Sequence, residues 1–99
     1  MKRIVVLGSG ESGTGAAVLA KVKGFDVFVS DVKDIKENYK SLLNQYEIDY
    51  EEGHPHTEEL VLNADEVVKS PGIPNDVPII VKLKEKNIGI LITDHNVHE

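Results

Sequence analysis

A chain of 99 residues, 40% hydrophobic and 28% charged, has room for one core and the composition of an ordinary globular domain. It has no cysteine, which excludes disulfide frameworks and thiolate metal sites and fits a reducing compartment, the cytoplasm. Its net charge of -6 repels polyanions, so nucleic acid is not an expected partner; no apolar run approaches the roughly 18 residues of a membrane span, and the run after Met1-Lys2-Arg3 is too short for a signal-peptide core.

Ile4-Val5-Val6-Leu7 is apolar, largely β-branched and stopped by Gly8, which predicts a buried central strand. After the glycine-rich turn, Ala16, Ala17, Leu19, Ala20 and Val22 predict a helix with small residues on one face, ending near Gly24. Val27-Phe28-Val29 is a second strand, stopped by Ser30-Asp31. Ile35, Tyr39, Leu42, Leu43 and Tyr46 form one helical stripe, with Asp34 as the expected cap and Glu37 behind it. Ile48-Asp49-Tyr50 reads as a short edge strand and Glu51 to His56 as a polar loop. Thr57 is the expected cap of a short helix with Glu58 and Glu59 in its first turn. Glu66 to Lys69 is a fourth strand, followed by the loop Ser70-Pro71-Gly72-Ile73-Pro74. Asp76 is the expected cap of a last helix, with Pro78 in its first turn and Ile79, Ile80 and Leu83 facing inward. Ile90-Leu91-Ile92 is a fifth strand.

Alternating strands and helices predict an α/β fold: one Rossmann-like three-layer domain over residues 1–99, with a five-stranded parallel sheet in the order 3-2-1-4-5. Such sheets bind ligands beyond the carboxyl ends of the strands, where the winding reverses between strands 1 and 4. The loops after those two strands are both rich in glycine or proline.

Gly8-Ser9-Gly10-Glu11-Ser12-Gly13 follows the pattern G-x-G-x-x-G, between a strand and a helix. Gly8 permits the tight turn, Gly10 lets the backbone approach a phosphate, and Gly13 lets helix and strand pack closely. Free N–H groups at the helix start then face the anion. The bland alternative is a structural turn without a ligand. Asp31, at the end of strand 2, stands where a dinucleotide site binds ribose hydroxyls, or is an ordinary turn acid. Ser70-Pro71-Gly72 either offers N–H groups to a ligand or is only a turn. His54 and His56, with Glu51 and Glu52 nearby, match no known metal-ligand spacing and read as a solvated loop, as do His95 and His98. Lys82, Lys84 and Lys86 read as a solvated helix face, and Tyr39 and Tyr46 as part of the core stripe. The G-x-x-x-x-G-K-[ST] loop is absent and no nucleophile–base pair is evident, so no autonomous catalysis is expected.

Together these residues resemble the N-terminal domain of the Mur ligases of peptidoglycan synthesis, in particular the D-glutamate-adding type. The resemblance runs from Met1 to about Ile79. It rests on Ile4 to Gly13, on Val29-Ser30-Asp31, on Asn63-Ala64-Asp65, and above all on Val68-Lys69-Ser70-Pro71-Gly72-Ile73-Pro74. It implies a cytoplasmic domain that holds UDP, or the UDP part of UDP-N-acetylmuramoyl-L-alanine, with ATP and magnesium held by other domains. Carried over, Ser9, Gly10, Glu11, Ser12 and Gly13 hold the diphosphate, Asp31 and Val32 lie at the uracil, and Ser70, Pro71 and Gly72 close the other side. Val32 departs from the polar residue that some members have there. Residues 83–99 are instead similar to the late helix, strand and switch-histidine loop of a lipopolysaccharide-export type ABC transporter ATPase, where His95 would sense the γ-phosphate; without Walker loops that role cannot operate. This second resemblance predicts a join near residue 80 between two α/β proteins. Two other readings stay open: an engineered or recombined chimeric scaffold without a working role, and an NAD-binding regulatory domain. Oligomeric state leaves no mark in the sequence.

Overall fold

The computed structural model describes residues 1–93. Along them alternate β1 (Arg3–Leu7), α1 (Glu11–Val22), β2 (Asp26–Asp31), α2 (Glu37–Gln45), β3 (Asp49–Glu52), α3 (Glu58–Val61), β4 (Glu66–Lys69), α4 (Pro78–Glu85) and β5 (Gly89–Ile92). Every strand pairing is parallel and the sheet order is β3-β2-β1-β4-β5, as the alternation predicts. In the central strand, Val5 lies opposite Phe28 of β2 and Val67 of β4. The chain winds from β1 out to β3, then crosses back to lay β4 and β5 on the other side. That reversal opens a crevice at the carboxyl ends of β1 and β4.

Strands β1 and β2 are buried on both faces, which is why they read as unbroken apolar runs. Ile4, Val6, Val27 and Val29 face one core with Ala17 and Ala20 of α1 and Leu43 of α2. Val5, Leu7 and Phe28 face the opposite core with Val61 of α3, Val67 of β4, and Ile80 and Leu83 of α4. Tyr39 and Tyr46 pack against the first core, as their place in the stripe predicts.

Three helices stop in the same way. The amide after each helix's left-handed residue reaches back to the carbonyl of the helix's third-last residue: Phe25 to Ala20, Ile48 to Leu43, and Ile88 to Leu83. The left-handed residue is Gly24 after α1, but Glu47 (φ 58°) after α2 and Asn87 (φ 60°) after α4.

The helix starts differ from expectation. Helix α2 begins at Glu37 with Lys36 as its N-cap, so Asp34 lies outside it. The Ile35 amide is taken by Glu52 Oε1 at 2.7 Å, which ties this stretch to β3 before the helix begins. Ile35 still fills the core, 4% exposed. Val77, not Asp76, is the N-cap of α4. Pro78 forces the residue before it into an extended conformation (φ -69°, ψ 149°), so the helix starts on the proline itself. Thr57 does sit at the N-cap of α3, but its hydroxyl donates to Glu51 Oε1 at 2.6 Å and accepts no hydrogen bond from the helix's first amides. Strand β3 runs on through Glu51 and Glu52, which the sequence places in a loop.

Candidate functional site

The glycine turn links β1 to α1 over the crevice. Gly8 has φ +93°, and a Cβ there would meet Ser70 Cβ at 3.0 Å, so the two loops touch. A Cβ on Gly13 would come within 1.9 Å of the Gly8 carbonyl oxygen, so the first turn of α1 rests directly on the end of β1. At Gly10 a Cβ meets nothing within 4 Å. Two glycines of the motif thus serve packing, and the third faces open space. The Gly10, Glu11 and Ser12 amides find no acceptor among the described residues, as the start of a helix requires. Inside the turn, the Ser9 and Thr14 hydroxyls pair at 2.8 Å and are buried.

Asp31 anchors this turn from the end of β2. Its Oδ2 accepts the Ser9 N–H at 2.8 Å and its Oδ1 accepts the Lys33 N–H at 3.0 Å. Its side chain therefore positions the turn even before any ligand is considered. On the far side, Ser70 opens a tight turn in which its carbonyl accepts the Ile73 N–H at 3.1 Å and its hydroxyl accepts the Gly72 N–H at 3.2 Å. Lys69 is 3% exposed, and its ammonium donates to the Ile73 carbonyl at 2.7 Å, clamping that turn from beneath.

Between the two loops lies a cleft of about 760 Å³. All ten sequence-predicted site residues line it: Ser9, Gly10, Glu11, Ser12 and Gly13 on one wall, Asp31 and Val32 beside them, and Ser70, Pro71 and Gly72 opposite. Val32 is 49% exposed and offers an apolar surface. Sequence reasoning missed part of the lining: Lys33, Pro55, His56 and Glu58, and the apolar residues Ile73, Pro74, Val77, Pro78 and Ile79.

The loop at His56 is not simply solvated. Ser30 and Glu51 are register partners in the β2–β3 pairing, and the Ser30 hydroxyl donates to Glu51 Oε2 at 2.6 Å. His56 Nδ1 lies 2.6 Å from the same hydroxyl. Glu51 also accepts the Thr57 amide at 2.9 Å. Burial of this carboxylate opposes ionisation, but the hydrogen bonds from Ser30 and Thr57 outweigh it and hold Glu51 below the usual range. Burial pushes His56 down as well, against the raising influence of Glu51 and Asp31. Glu52 points to the other face of the sheet, where the Ile35 amide and then Lys40 hold its carboxylate low. Strand alternation thus separates the two acids, and no group of three or more metal-ligating side chains forms among the described residues. His54 is exposed and lies 3.7 Å from Glu51. Lys82 stays exposed but pairs with Glu58. His95 and His98 lie outside the described residues.

An all-parallel sheet in this order, with flanking helices and a glycine turn at its switch point, defines a Rossmann-like α/β class of domain. The family described as the MurD N-terminal domain matches residues 3–79, and the chain belongs to that family. It is 67% identical over 91 residues to UDP-N-acetylmuramoylalanine–D-glutamate ligase of Bacteroides thetaiotaomicron, a match covering 92% of this chain and 20% of that protein. The chain thus spans about a fifth of the length of the curated relatives it matches. Among solved structures, a pseudomurein peptide ligase type C from Methanothermus fervidus superposes with a TM-score of 0.76 at 31% identity, over 93% of this chain and 19% of that one. UDP-N-acetylmuramate–alanine ligase from Thermotoga maritima shares the fold with a TM-score of 0.76 at 24% identity, over 97% of this chain and 21% of that one.

These matches correct one expectation. A 91-residue match within 99 residues includes positions 9–91 wherever it starts, so α4 and β5 belong to the same relative as the glycine turn. The join expected near residue 80, and with it the ABC-type origin of this helix and strand, is not supported.

Proposed function

We propose that this chain is the UDP-holding domain of a UDP-N-acetylmuramoyl-L-alanine:D-glutamate ligase and acts without catalysis of its own. One observation carries the reading: the glycine turn and the Ser70 turn face each other across one cleft at the sheet's switch point. The diphosphate lies over Gly10, where the backbone is bare, and accepts from the amides that open α1. Val32 gives the uracil an apolar surface, and the clamped Ser70-Pro71-Gly72 turn closes the opposite side. The chain carries no phosphate loop for ATP, so ATP and magnesium fall to other domains of such a ligase. With no cysteine in the chain, and no helix among the described residues long and apolar enough to cross a membrane, we assign it to the cytoplasm.

Calorimetric titration with UDP, UDP-N-acetylmuramoyl-L-alanine and NAD separates this reading from a dinucleotide domain. Binding of the two uridine ligands, and its loss in Gly10→Val with the fold retained, is the expected result. NAD binding without a response to UDP contradicts it.

A further inference from the structure

The Glu51–Ser30–His56 chain of hydrogen bonds determines which nitrogen of His56 carries its proton. A serine hydroxyl has one proton to give, and the ionised Glu51 can only accept. The Ser30 proton therefore goes to Glu51, and Ser30 Oγ must accept from His56, whose Nδ1 is the protonated nitrogen. Nε2 is left without a proton in the neutral ring. It has no partner among the described residues, yet no side-chain nitrogen or oxygen there is both buried and unpaired, so Nε2 is open to solvent. His56 lines the cleft.

We propose that His56 is a ligand-binding residue of this cleft, whose Nε2 accepts a hydrogen bond from the nucleoside end of the bound nucleotide, and that Ser30 and Glu51 are positioning residues that keep Nε2 unprotonated. The inference rests on the nucleotide reading above. His56 follows β3 and bonds into β2, on the side of the sheet away from the switch point where the phosphates sit. Glu51 and Asp31 flank it, and a neutral acceptor backed by two acids does not suit a phosphate. It suits a donor, and a pyrimidine nucleoside offers two kinds: the imide N–H of the base and the ribose hydroxyls. The burial that disfavours the imidazolium works in the same direction.

Two measurements test this on the 99-residue chain. Nitrogen-15 NMR of the imidazoles at neutral pH should show His56 protonated on Nδ1 and bare on Nε2. Ser30→Ala, at a position that does not line the cleft, should abolish that preference. Calorimetry then compares UDP with N3-methyl-UDP and with 2′- and 3′-deoxy-UDP. The natural chain should bind the analogue lacking the contacted donor about three- to tenfold more weakly than UDP, the effect of one neutral hydrogen bond. His56→Ala should lose UDP affinity by a similar factor and no longer distinguish that analogue. Ser30→Ala should lose part of it. Discrimination against the methylated base assigns the contact to the imide, and against a deoxy sugar to a hydroxyl. Equal UDP affinity and equal discrimination in the natural chain and both variants overturn the inference and leave the nucleotide reading intact. An Nε2-protonated ring overturns the relay. A natural chain that binds no UDP overturns the nucleotide reading, and the inference with it.

Discussion

Gly10 and Gly13 belong to one motif, yet a methyl group at each meets a different fate. At Gly13 it would overlap the Gly8 carbonyl, backbone that cannot swing away. Gly13→Ala should therefore destabilise the fold by about 3 kcal/mol or more, beyond ordinary overpacking. Gly10→Ala meets open space and should cost less than about 1 kcal/mol, the usual N-cap difference. Urea unfolding of the two variants checks this, and equal losses would contradict the division of roles. The same scale holds a pH effect. Glu51 and His56 both have folded-state pKa values below their ordinary ones, so the unfolded chain binds their protons more readily. Stability is then full above those ordinary values and falls with pH, first through His56 below about 6.5 and later through Glu51 below about 4.5. In His56→Gln the first loss should vanish while the second remains. Urea midpoints from neutral to mildly acid pH read this directly; a natural chain that gains stability relative to the variant on acidification contradicts it.

Among the elements, the helix ends carry their own test. Glu47 occupies a left-handed position that costs a side-chain-bearing residue roughly 1 kcal/mol. Glu47→Gly should raise stability by a few tenths to about 1 kcal/mol, after the greater freedom of glycine in the unfolded chain is deducted. Gly24→Ala, where a Cβ has room but φ is +95°, should lower it by about 1 kcal/mol. Thermal melts suffice, since about 1 kcal/mol moves the midpoint of so small a domain by roughly 4–8 °C. Elements were legible where one local cause dominates: β1 and β2 from apolar runs, α2 from its stripe, and the two cleft loops from glycine and proline. They were misread where a distant partner decides. Asp34 looks like a cap locally, but the Ile35 amide belongs to Glu52; Thr57 does hold the N-cap position of α3, yet its hydroxyl is turned to Glu51 and caps no helix amide. The His56 relay is invisible for the same reason. Ser30 and Glu51 become neighbours only through the register of a parallel pairing, and His56 lies 26 positions from the serine it bonds.

For the whole molecule, charge and fold pull in opposite directions. The surface is acidic, and Glu11, Asp31 and Glu58 line the cleft against one lysine, Lys33. A nucleotide bound as proposed must therefore be held by backbone amides and shape rather than by a basic field. Added salt screens the long-range repulsion but barely touches short N–H contacts. UDP affinity should stay level or rise between about 20 and about 200 mM salt, a range over which the screening length shrinks severalfold. A steep fall would mean that a cluster of cations carries the binding.

In the proposed site the β1–α1 turn and the Ser70 turn together hold a uridine diphosphate. Amide NMR of the labelled chain under UDP titration reads both turns at once. Saturable shifts should concentrate at Gly10, Glu11 and Ser12 and at Ser70 and Gly72, and be absent in Gly10→Val. Saturating UDP that leaves those amides unmoved, or moves them equally in the Gly10→Val chain, would contradict that site.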